Sequence, residues 1–311
     1  MPSGLNSRPR RKTHTENFLQ RTIRNKQFDE TIEAINRSHK TSGLKPKSMM
    51  LLGESGAGKS TIVNTYRKAY PDVELEDRTQ RPVIYTSLQP RVTVNDILAG
   101  LLEACADPEP DKGTSRSLLK RLYGLTKSLG VQLIIIDEIQ HVLPEHTHRR
   151  TQEAADTIKS ITDRTGIPFI LTGLPHGNRL LADSIKGMHS EDQLARRFNA
   201  SVEIGYPALG SKAWKNLMGG YQTAVGVPFI ELNSEEMLKR FHLATSGLHG
   251  FIANLLEHAL ESTDGYEQVC LNHLVRAFEI TSSGKAQTAN PFAMSMPQVE
   301  RALGLRENVR T

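Results

Sequence analysis

Residues 53–60 read Gly-Glu-Ser-Gly-Ala-Gly-Lys-Ser and follow the apolar run Met49-Met50-Leu51-Leu52. These eight residues match the pattern G-x-x-x-x-G-K-[ST], and residues 61–70 have the amphipathic spacing of a helix. Glycines let backbone N–H groups converge on an anion, and the N-terminus of the following helix adds the positive end of its dipole. A buried strand, a glycine-rich turn and a helix predict a phosphate-binding loop and a nucleoside triphosphate site.

The residues of this loop have separate predicted roles. The Lys59 ammonium reaches the β- and γ-phosphates in such loops, and the Ser60 hydroxyl ligates Mg²⁺. ATP and Mg²⁺ are therefore the expected cofactors. The predicted nucleotide-binding residues are Gly53, Glu54, Ser55, Gly56, Ala57, Gly58, Lys59, Ser60 and Thr61.

A second nucleotide signature is the apolar run Leu133-Ile-Ile-Ile, which ends in Asp137-Glu138. Asp137, at the carboxyl end of a strand, is predicted to hold Mg²⁺ together with Ser60. Glu138 stands where a carboxylate can orient and deprotonate an attacking water. We therefore expect Lys59 and Glu138 to act in ATP hydrolysis.

Strands and helices alternate along the first two thirds of the chain. Strands are predicted at 49–52, 82–88, 131–136 and 168–171, and helices at 94–105, 115–129 and 151–165. This alternation predicts an α/β fold with a parallel sheet between helices. A strand between the phosphate loop and the acidic strand is typical of ATPases with a glutamate-activated water. Thr172, at the tip of the last of these strands, is a candidate sensor of the γ-phosphate or a plain strand-end threonine.

Two adjacent arginines follow the predicted core, in Asp192-Gln-Leu-Ala-Arg196-Arg197-Phe198. Arg196 or Arg197 suits an arginine finger that neutralises transition-state charge at a neighbouring subunit's ATP. The alternative is an ordinary pair of salt-bridging side chains. If the finger interpretation holds, the active unit is a homo-oligomer.

Helical spacing dominates beyond residue 211, where the strand signal nearly vanishes. The predicted division is a basic disordered arm (1–17), a nucleotide-binding α/β core (18–210), a small helical lid (211–281) and a flexible C-terminal tail (282–311). Asn233 or Ser234 can cap the second lid helix.

The net charge of +5 is concentrated in certain segments. The first 26 residues carry seven Lys and Arg against one acid, Glu16. Projected at 100° per residue, the helix at 115–129 puts Leu118, Leu122, Leu125 and Leu129 opposite a basic stripe that can track a phosphate backbone. A solvated arm and a solvated helix face are the alternatives. The candidate DNA-binding residues are Arg116, Lys120 and Lys127 of the stripe and, with a weaker signal, Lys112, Arg149 and Arg150.

The cysteine content and the lack of long apolar runs indicate the cellular compartment of the protein. The two cysteines, Cys105 and Cys270, lie far apart and imply neither a disulfide framework nor a metal cluster. No apolar run approaches the roughly 20 residues that span a bilayer, and the N-terminus lacks the apolar core of a secretory signal. We therefore expect a cytoplasmic protein without a membrane partner.

Together these residues resemble the AAA+ ATPases of the TnsC/TniB type, which regulate target choice in DNA transposition. The resemblance covers about residues 18–280. It rests on the phosphate loop, the acidic strand continuing as Ile139-Gln-His-Val-Leu143, Ile167-Pro-Phe-Ile-Leu-Thr-Gly173, and the segment from Asp192 to Phe198. It implies assembly of rings or filaments on double-stranded DNA under ATP control. Such an assembly links a target-selecting factor of the TniQ type to transposase subunits, and hydrolysis controls disassembly.

One departure from the AAA+ pattern lies in the predicted lid. Many AAA+ lids carry an arginine in a Gly-x-x-Arg pattern that touches the nucleotide, whereas residues 247–250 here read Gly-Leu-His-Gly. His249 is a candidate substitute. Two other functions stay open from the sequence: a P-loop kinase or motor acting on a small molecule, and a signalling or remodelling P-loop ATPase that does not act on DNA.

Overall fold

The computed structural model describes residues 12–142, 148–181, 197–263, 268–282 and 289–305, with the backbone alone at 148 and 149. The chain divides into two units. We call residues 27–205 the α/β unit, and residues 1–26 with 206–311 the helical unit.

The described strands lie in the α/β unit. Five of them form one sheet in the order β4-β5-β6-β1-β7, and every neighbouring pair is parallel. The remaining two, β2 and β3, form a short antiparallel pair. The strands are β1 (Met49–Gly53), β2 (Val73–Glu74), β3 (Thr79–Gln80), β4 (Val83–Ser87), β5 (Leu133–Asp137), β6 (Phe169–Gly173) and β7 (Val202–Ile204).

All residues of β1, β5 and β6 are buried. Continuous apolar runs such as Leu133-Ile-Ile-Ile are stable only in a sheet covered on both faces. The helices that accompany the sheet in the sequence are α2 (Lys26–His39), α3 (Lys59–Lys68), α4 (Val94–Ala104), α5 (Ser115–Ser128) and α6 (His148–Thr165). The predicted α/β fold with a parallel sheet is confirmed.

Strand order determines where the functional residues lie. The carboxyl ends of parallel strands meet at one edge of a sheet, and β6 lies between β5 and β1. Register pairs Leu51 with Thr172 and Ile136 with Leu171. The end of β6 therefore separates the phosphate loop after β1 from the acidic pair after β5. Two short 3₁₀ helices, Ile139–Val142 and Pro175–Asn178, follow β5 and β6 at this edge.

The helical unit has its own apolar core, which includes the fully buried Trp214 and Phe241. The Ser234 hydroxyl accepts from the backbone N–H of Met237 and caps its helix, as one of the two candidates predicted. The described helices of this unit are α1 (Thr13–Leu19), α7 (Lys212–Val225), α8 (Glu235–Thr245), α9 (His249–Glu261), α10 (Leu271–Thr281) and α11 (Met296–Ala302).

The N-terminal boundary differs from the prediction. Residues 1–11 lie outside the described residues, but 13–19 form α1 instead of continuing a disordered arm. Phe18, assigned from the sequence to the α/β core, is 4% exposed in the core of the helical unit. The Lys12 ammonium donates to the Thr263 carbonyl at 2.7 Å, and Arg21 donates to the carbonyls of Thr223 and Ala224.

The predicted flexible tail is also corrected over residues 289–305. Phe292 is 1% exposed, and its ring lies 5.1 Å from that of Phe241, centroid to centroid. The buried guanidinium of Arg240 donates to the carbonyls of Pro291 and Met294. The prediction was wrong here because one aromatic residue and buried carbonyl contacts hold a segment whose composition is polar.

The boundary between the units falls at residues 205 and 206, five residues before the predicted position. Among the described residues, no helix combines the length and apolarity needed to cross a membrane.

Candidate functional site

The phosphate loop joins β1 to α3 through a left-handed turn. Gly56 and Gly58 have φ values of +79° and +96°, a backbone conformation that residues with a Cβ rarely adopt. Gly58 is the N-cap of α3, and no side chain caps the first turn of this helix. Backbone N–H groups at this N-terminus are therefore available to an anion, as in phosphate-binding loops. The loop fits the phosphates of a nucleotide.

The Lys59 side chain folds back onto the start of its own loop. Its ammonium donates to the carbonyls of Gly53 at 2.7 Å and Glu54 at 3.0 Å, and the residue is 7% exposed. Burial lowers the pKa of Lys59, while the charges of Glu138, Asp137 and Glu54 act in the opposite direction. The predicted lysine and the predicted acidic pair therefore interact electrostatically in this chain.

Asp137 is 3% exposed at the end of β5, and three donors hold its carboxylate. Oδ1 accepts from the Thr172 hydroxyl and from the Glu138 N–H, the latter at 2.9 Å. Oδ2 accepts from the Tyr85 hydroxyl at 3.2 Å. A buried ionised carboxylate is stable when it accepts such bonds. These bonds hold the Asp137 oxygens in place, and oxygen is the ligand type that Mg²⁺ prefers. The role of Asp137 as a Mg²⁺ ligand stays a prediction.

Glu138 has a φ of +58°, which is uncommon for a residue other than glycine. Its carboxylate oxygen Oε2 accepts from the side-chain amide of Gln140. Glu138 thus bonds Asp137, which in turn accepts from Thr172, and its charge acts on Lys59. Of the predicted metal ligands, Ser60 is exposed in the first turn of α3 and Asp137 is buried at the end of β5.

One of the two arginines predicted as a finger for a neighbouring subunit, Arg197, lies away from the nucleotide site of its own chain. Arg197 donates through Nε and Nη2 to the two carboxylate oxygens of Asp163, the second bond measuring 2.9 Å. Its carbonyl accepts from the N–H of Ser48, immediately before β1. Arg197 is therefore at the amino end of β1, about 16 Å of strand from the phosphate loop at the other end.

Arg197 accordingly forms the ion pair considered as the alternative, and does not join the nucleotide site of its own chain. Arg196 lies outside the described residues. A finger acting at a neighbouring subunit stays a prediction for both arginines.

The basic stripe is exposed as predicted. Arg116, Lys120 and Lys127 are exposed on α5, while Leu118 and Leu122 are buried on its other side. Lys112 is exposed before the helix, with its ammonium 2.6 Å from Glu109 Oε1. Arg150 is exposed in the first turn of α6, and the side chain of Arg149 lies outside the described part of the chain. A contact with DNA stays a prediction for all of them.

Two residues that contact the acidic pair were missed from the sequence, Tyr85 and Gln140. The signal for Tyr85 was its place near the end of a strand predicted in the same sheet as the acidic strand. Gln140 follows Glu138 by two residues in a 3₁₀ helix, which neither helical nor strand periodicity would reveal.

His249, the candidate substitute for a lid arginine, lies within the helical unit. Its ring nitrogens contact the Tyr221 hydroxyl at 3.4 Å and the Asn25 side-chain amide at 3.3 Å. Burial lowers the pKa of His249. These contacts give it a packing role at the start of α9.

Comparison with known proteins agrees with this geometry. A family model described as "Bacterial TniB protein" matches residues 16–204, which include the phosphate loop, the acidic pair and Thr172. No curated protein matches the sequence.

Solved structures share the fold at low identity. The ORC1 protein of Aeropyrum pernix in complex with DNA is 16% identical, with a TM-score of 0.60 over 86% of this chain and 69% of that one. The ORC2 protein of the same organism, in ADPNP–ADP complexes, is 16% identical, with a TM-score of 0.58 over 91% and 75%. A Walker-type ATPase of Pyrococcus abyssi is 14% identical, with a TM-score of 0.56 over 95% and 79%.

The fold is that of an AAA+ P-loop ATPase with a parallel sheet and a C-terminal helical region. With the family match over more than half of the chain and the lysine, aspartate and glutamate brought to one site, this protein belongs to the TniB family and is an AAA+ ATPase.

Proposed function

We propose that this ATPase assembles on duplex DNA under the control of ATP and links target selection to the transposase in DNA transposition. The observation that carries the proposal is the TniB family match over residues 16–204. The neighbouring structures add support, because two of them, the ORC1 protein of Aeropyrum pernix and the ORC of Drosophila, are bound to DNA. The assembly would be a ring or a helical filament of this chain.

In the proposed mechanism, Lys59 leaves the carbonyls of its own loop and binds the β- and γ-phosphates. Ser60 and Asp137 would hold Mg²⁺, which when bound neutralises phosphate charge. Thr172 holds Asp137 through a hydrogen bond and stands at the strand end that faces the nucleotide edge. Its predicted role as a γ-phosphate sensor is kept in this mechanism.

Glu138 is the proposed general base. It directly follows Asp137, the proposed metal ligand, and among the described residues its carboxylate accepts a hydrogen bond at Oε2 and not at Oε1. A carboxylate there can accept the proton of the attacking water as the water adds to the γ-phosphate. Hydrolysis then leaves ADP bound and permits disassembly.

The neighbouring subunit would supply the arginine finger. Arg197 is paired with Asp163, so a role at another subunit would require that this bidentate contact breaks. Arg196 is therefore the finger that we propose. The site is then complete only in an oligomer.

The proposed DNA surface is the exposed stripe on α5, with Lys112, Arg149 and Arg150 as further candidates. Such side chains contact phosphates without reading bases, so binding would be independent of sequence and would weaken steeply with salt. Transposase subunits and a target-selecting factor of the TniQ type are the proposed protein partners. A DNA partner is in keeping with a cytoplasmic location in a bacterium.

Imaging of the full chain with ATP, Mg²⁺ and duplex DNA tests the proposal, with ATP turnover measured with and without the DNA. We expect rings or filaments on the duplex, and none for Lys59→Ala. Particles that stay monomeric and turnover that is indifferent to DNA would contradict it. They would favour the signalling or remodelling ATPase.

A further inference from the structure

The side chain of Gln140 connects Glu138 to the end of β6. Its amide nitrogen Nε2 donates to Glu138 Oε2, and its oxygen Oε1 accepts from the Leu174 N–H at 3.1 Å. Leu174 directly follows the strand that carries Thr172. A carboxylate needs a donor and an N–H needs an acceptor, so only this orientation of the amide satisfies both partners.

The backbone of Glu138 is held in the unusual conformation from which this contact is made. Its N–H donates to Asp137 Oδ1 at 2.9 Å, and its carbonyl accepts from the His141 N–H at 3.0 Å. A left-handed conformation at a residue with a Cβ persists only where surrounding contacts enforce it. The direction of the Glu138 side chain is therefore set by main-chain bonds, and its carboxylate by Gln140.

Gly173 provides the space that Gln140 occupies. A Cβ at this position would lie 2.5 Å from Gln140 Oε1 and 2.9 Å from Ile139 Cγ2, closer than real Cβ contacts. The end of β6 therefore admits the amide because it has no side chain there. This is an observation about the strand, independent of the bond to Glu138.

We propose that Gln140 is a positioning residue for ATP hydrolysis. Its amide occupies Oε2 of Glu138, which leaves Oε1 to accept the proton of the attacking water. A neutral donor orients the carboxylate without placing a full positive charge beside the base. This inference rests on the proposed role of Glu138 as general base.

The Leu174 contact extends the role of Gln140. Because one amide bonds both the base and the end of β6, a displacement of that strand end moves the Glu138 carboxylate. Thr172 lies two residues before Leu174 and contacts Asp137. Gln140 thus links the base to the strand end that carries the predicted sensor.

Gln140→Ala tests the proposal by separating turnover from nucleotide binding. We expect kcat to fall about 10-fold or more, but by no more than it falls when the base itself is removed. The Kd for ATP and the Tm should stay unchanged. Gln140→Glu keeps the chain length and an acceptor for Leu174 but replaces the donor, so it should lose at least as much. Gln152→Ala is the control, because the Gln152 amide donates to Asp156 Oδ1 at 3.1 Å on the exposed face of α6, with no contact to the acidic pair among the described residues.

A double-mutant cycle distinguishes positioning from a merely structural effect. In a Glu138→Gln background, Gln140→Ala should cause no further loss of kcat, since there is no base left to orient. Full hydrolysis by Glu138→Gln alone would instead refute the base assignment, and with it the proposed mechanism. An additive loss in the double variant would overturn the role of Gln140 only.

Gly173→Ala provides a second variant that keeps the Gln140 side chain but displaces it. We expect the same loss of kcat with ATP binding retained. An unchanged or increased kcat in Gln140→Ala would overturn the proposal, because an increase would mean that the amide holds the base away from water. If the Tm of Gln140→Ala is lowered, Gln140→Met replaces it, because methionine keeps the length of the side chain. A loss of kcat in Gln140→Met would support the proposal, and an unchanged or increased kcat would overturn it.

Discussion

The Tyr85 hydroxyl donates to Asp137 Oδ2 at 3.2 Å and so joins two neighbouring strands at the nucleotide site. Burial and the charge of Asp137 raise the pKa of Tyr85, so its hydroxyl stays protonated and can act only as a donor to the carboxylate. The guanidinium of Arg67, from the helix after the phosphate loop, lies 4.2 Å from the centroid of the Tyr85 ring. Tyr85 is thus held on one side by α3 while it holds the predicted metal ligand on the other.

Tyr85→Phe should raise the Mg²⁺ concentration required for half-maximal ATP turnover by about 10-fold, as loss of an outer partner of a metal ligand does. The ring and its packing remain, so the Tm should change little. Titration of ATPase activity with Mg²⁺ measures the effect. Tyr123→Phe is the matched control, since its hydroxyl contacts Ser160 at 3.3 Å on α5 and α6. Equal Mg²⁺ curves for Tyr85→Phe and wild type would show that the bond does not position Asp137.

The alanine variants of Arg196 and Arg197 should differ in their effects on ATP turnover and on stability. Arg197→Ala removes an ion pair whose side chains are 28% and 43% exposed, so we expect a loss of at most about 1 kcal/mol in the free energy of unfolding. Arg196→Ala removes the proposed finger and should lower kcat about 10³-fold or more. Denaturant unfolding and ATPase assays check the two expectations. Full turnover by Arg196→Ala with loss of turnover in Arg197→Ala would reverse the assignment.

Phe292→Ala should destabilise the helical unit by about 3–5 kcal/mol, because it deletes a large buried ring. The ring packs on Phe241 and Phe278, with centroids 5.1 and 6.2 Å away. Leu305→Ala, at a side chain that is 51% exposed, should change stability by no more than about 0.5 kcal/mol. Thermal and denaturant unfolding compare the two. If Phe292→Ala and the wild type unfolded identically, the original prediction of a flexible C-terminal tail would be supported instead.

Acidification should destabilise the helical unit. Burial lowers the pKa of His249 and of His242, although the Pro207 carbonyl acts in the opposite direction on His242. As the pH falls, these two histidines are therefore protonated in the unfolded chain at a higher pH than in the folded protein. Stability is full above the unfolded pKa of about 6.5 and is lost as the pH falls from there to the folded pKa.

The difference in Tm between about pH 7.5 and pH 5.5 measures this loss, and His249→Gln should reduce the difference. His258→Gln is the control, as His258 lies on the same helix. A Tm that is independent of pH in this range would contradict the prediction.

The phosphate loop and the acidic strand were predictable because each signal is local and continuous. Met49–Gly53 and Leu133–Asp137 are fully buried strands, and their apolar runs show this directly. The edge strand Val202–Ile204 escaped prediction because it has three residues, of which only Ile204 is buried.

Other features depend on contacts between distant parts of the chain. Phe18 packs with residues some 200 positions later, which no local pattern reveals. The partners of Asp137 and Glu138 depend on strand register and on a 3₁₀ turn, which place Tyr85 and Gln140 in contact with the two acids. The fold and the core of the site could thus be predicted from the sequence, whereas the hydrogen bonds that orient the site could be identified only from the structure.

We propose above that the ATP-bound protein assembles on DNA and that hydrolysis reverses the assembly. The most direct measurement is the mass distribution of Glu138→Gln on a duplex, with Mg²⁺ and either ATP or ADP. We predict large DNA-bound oligomers that persist with ATP and are absent with ADP. A monomeric distribution in both nucleotides, unchanged by the duplex, would contradict the account.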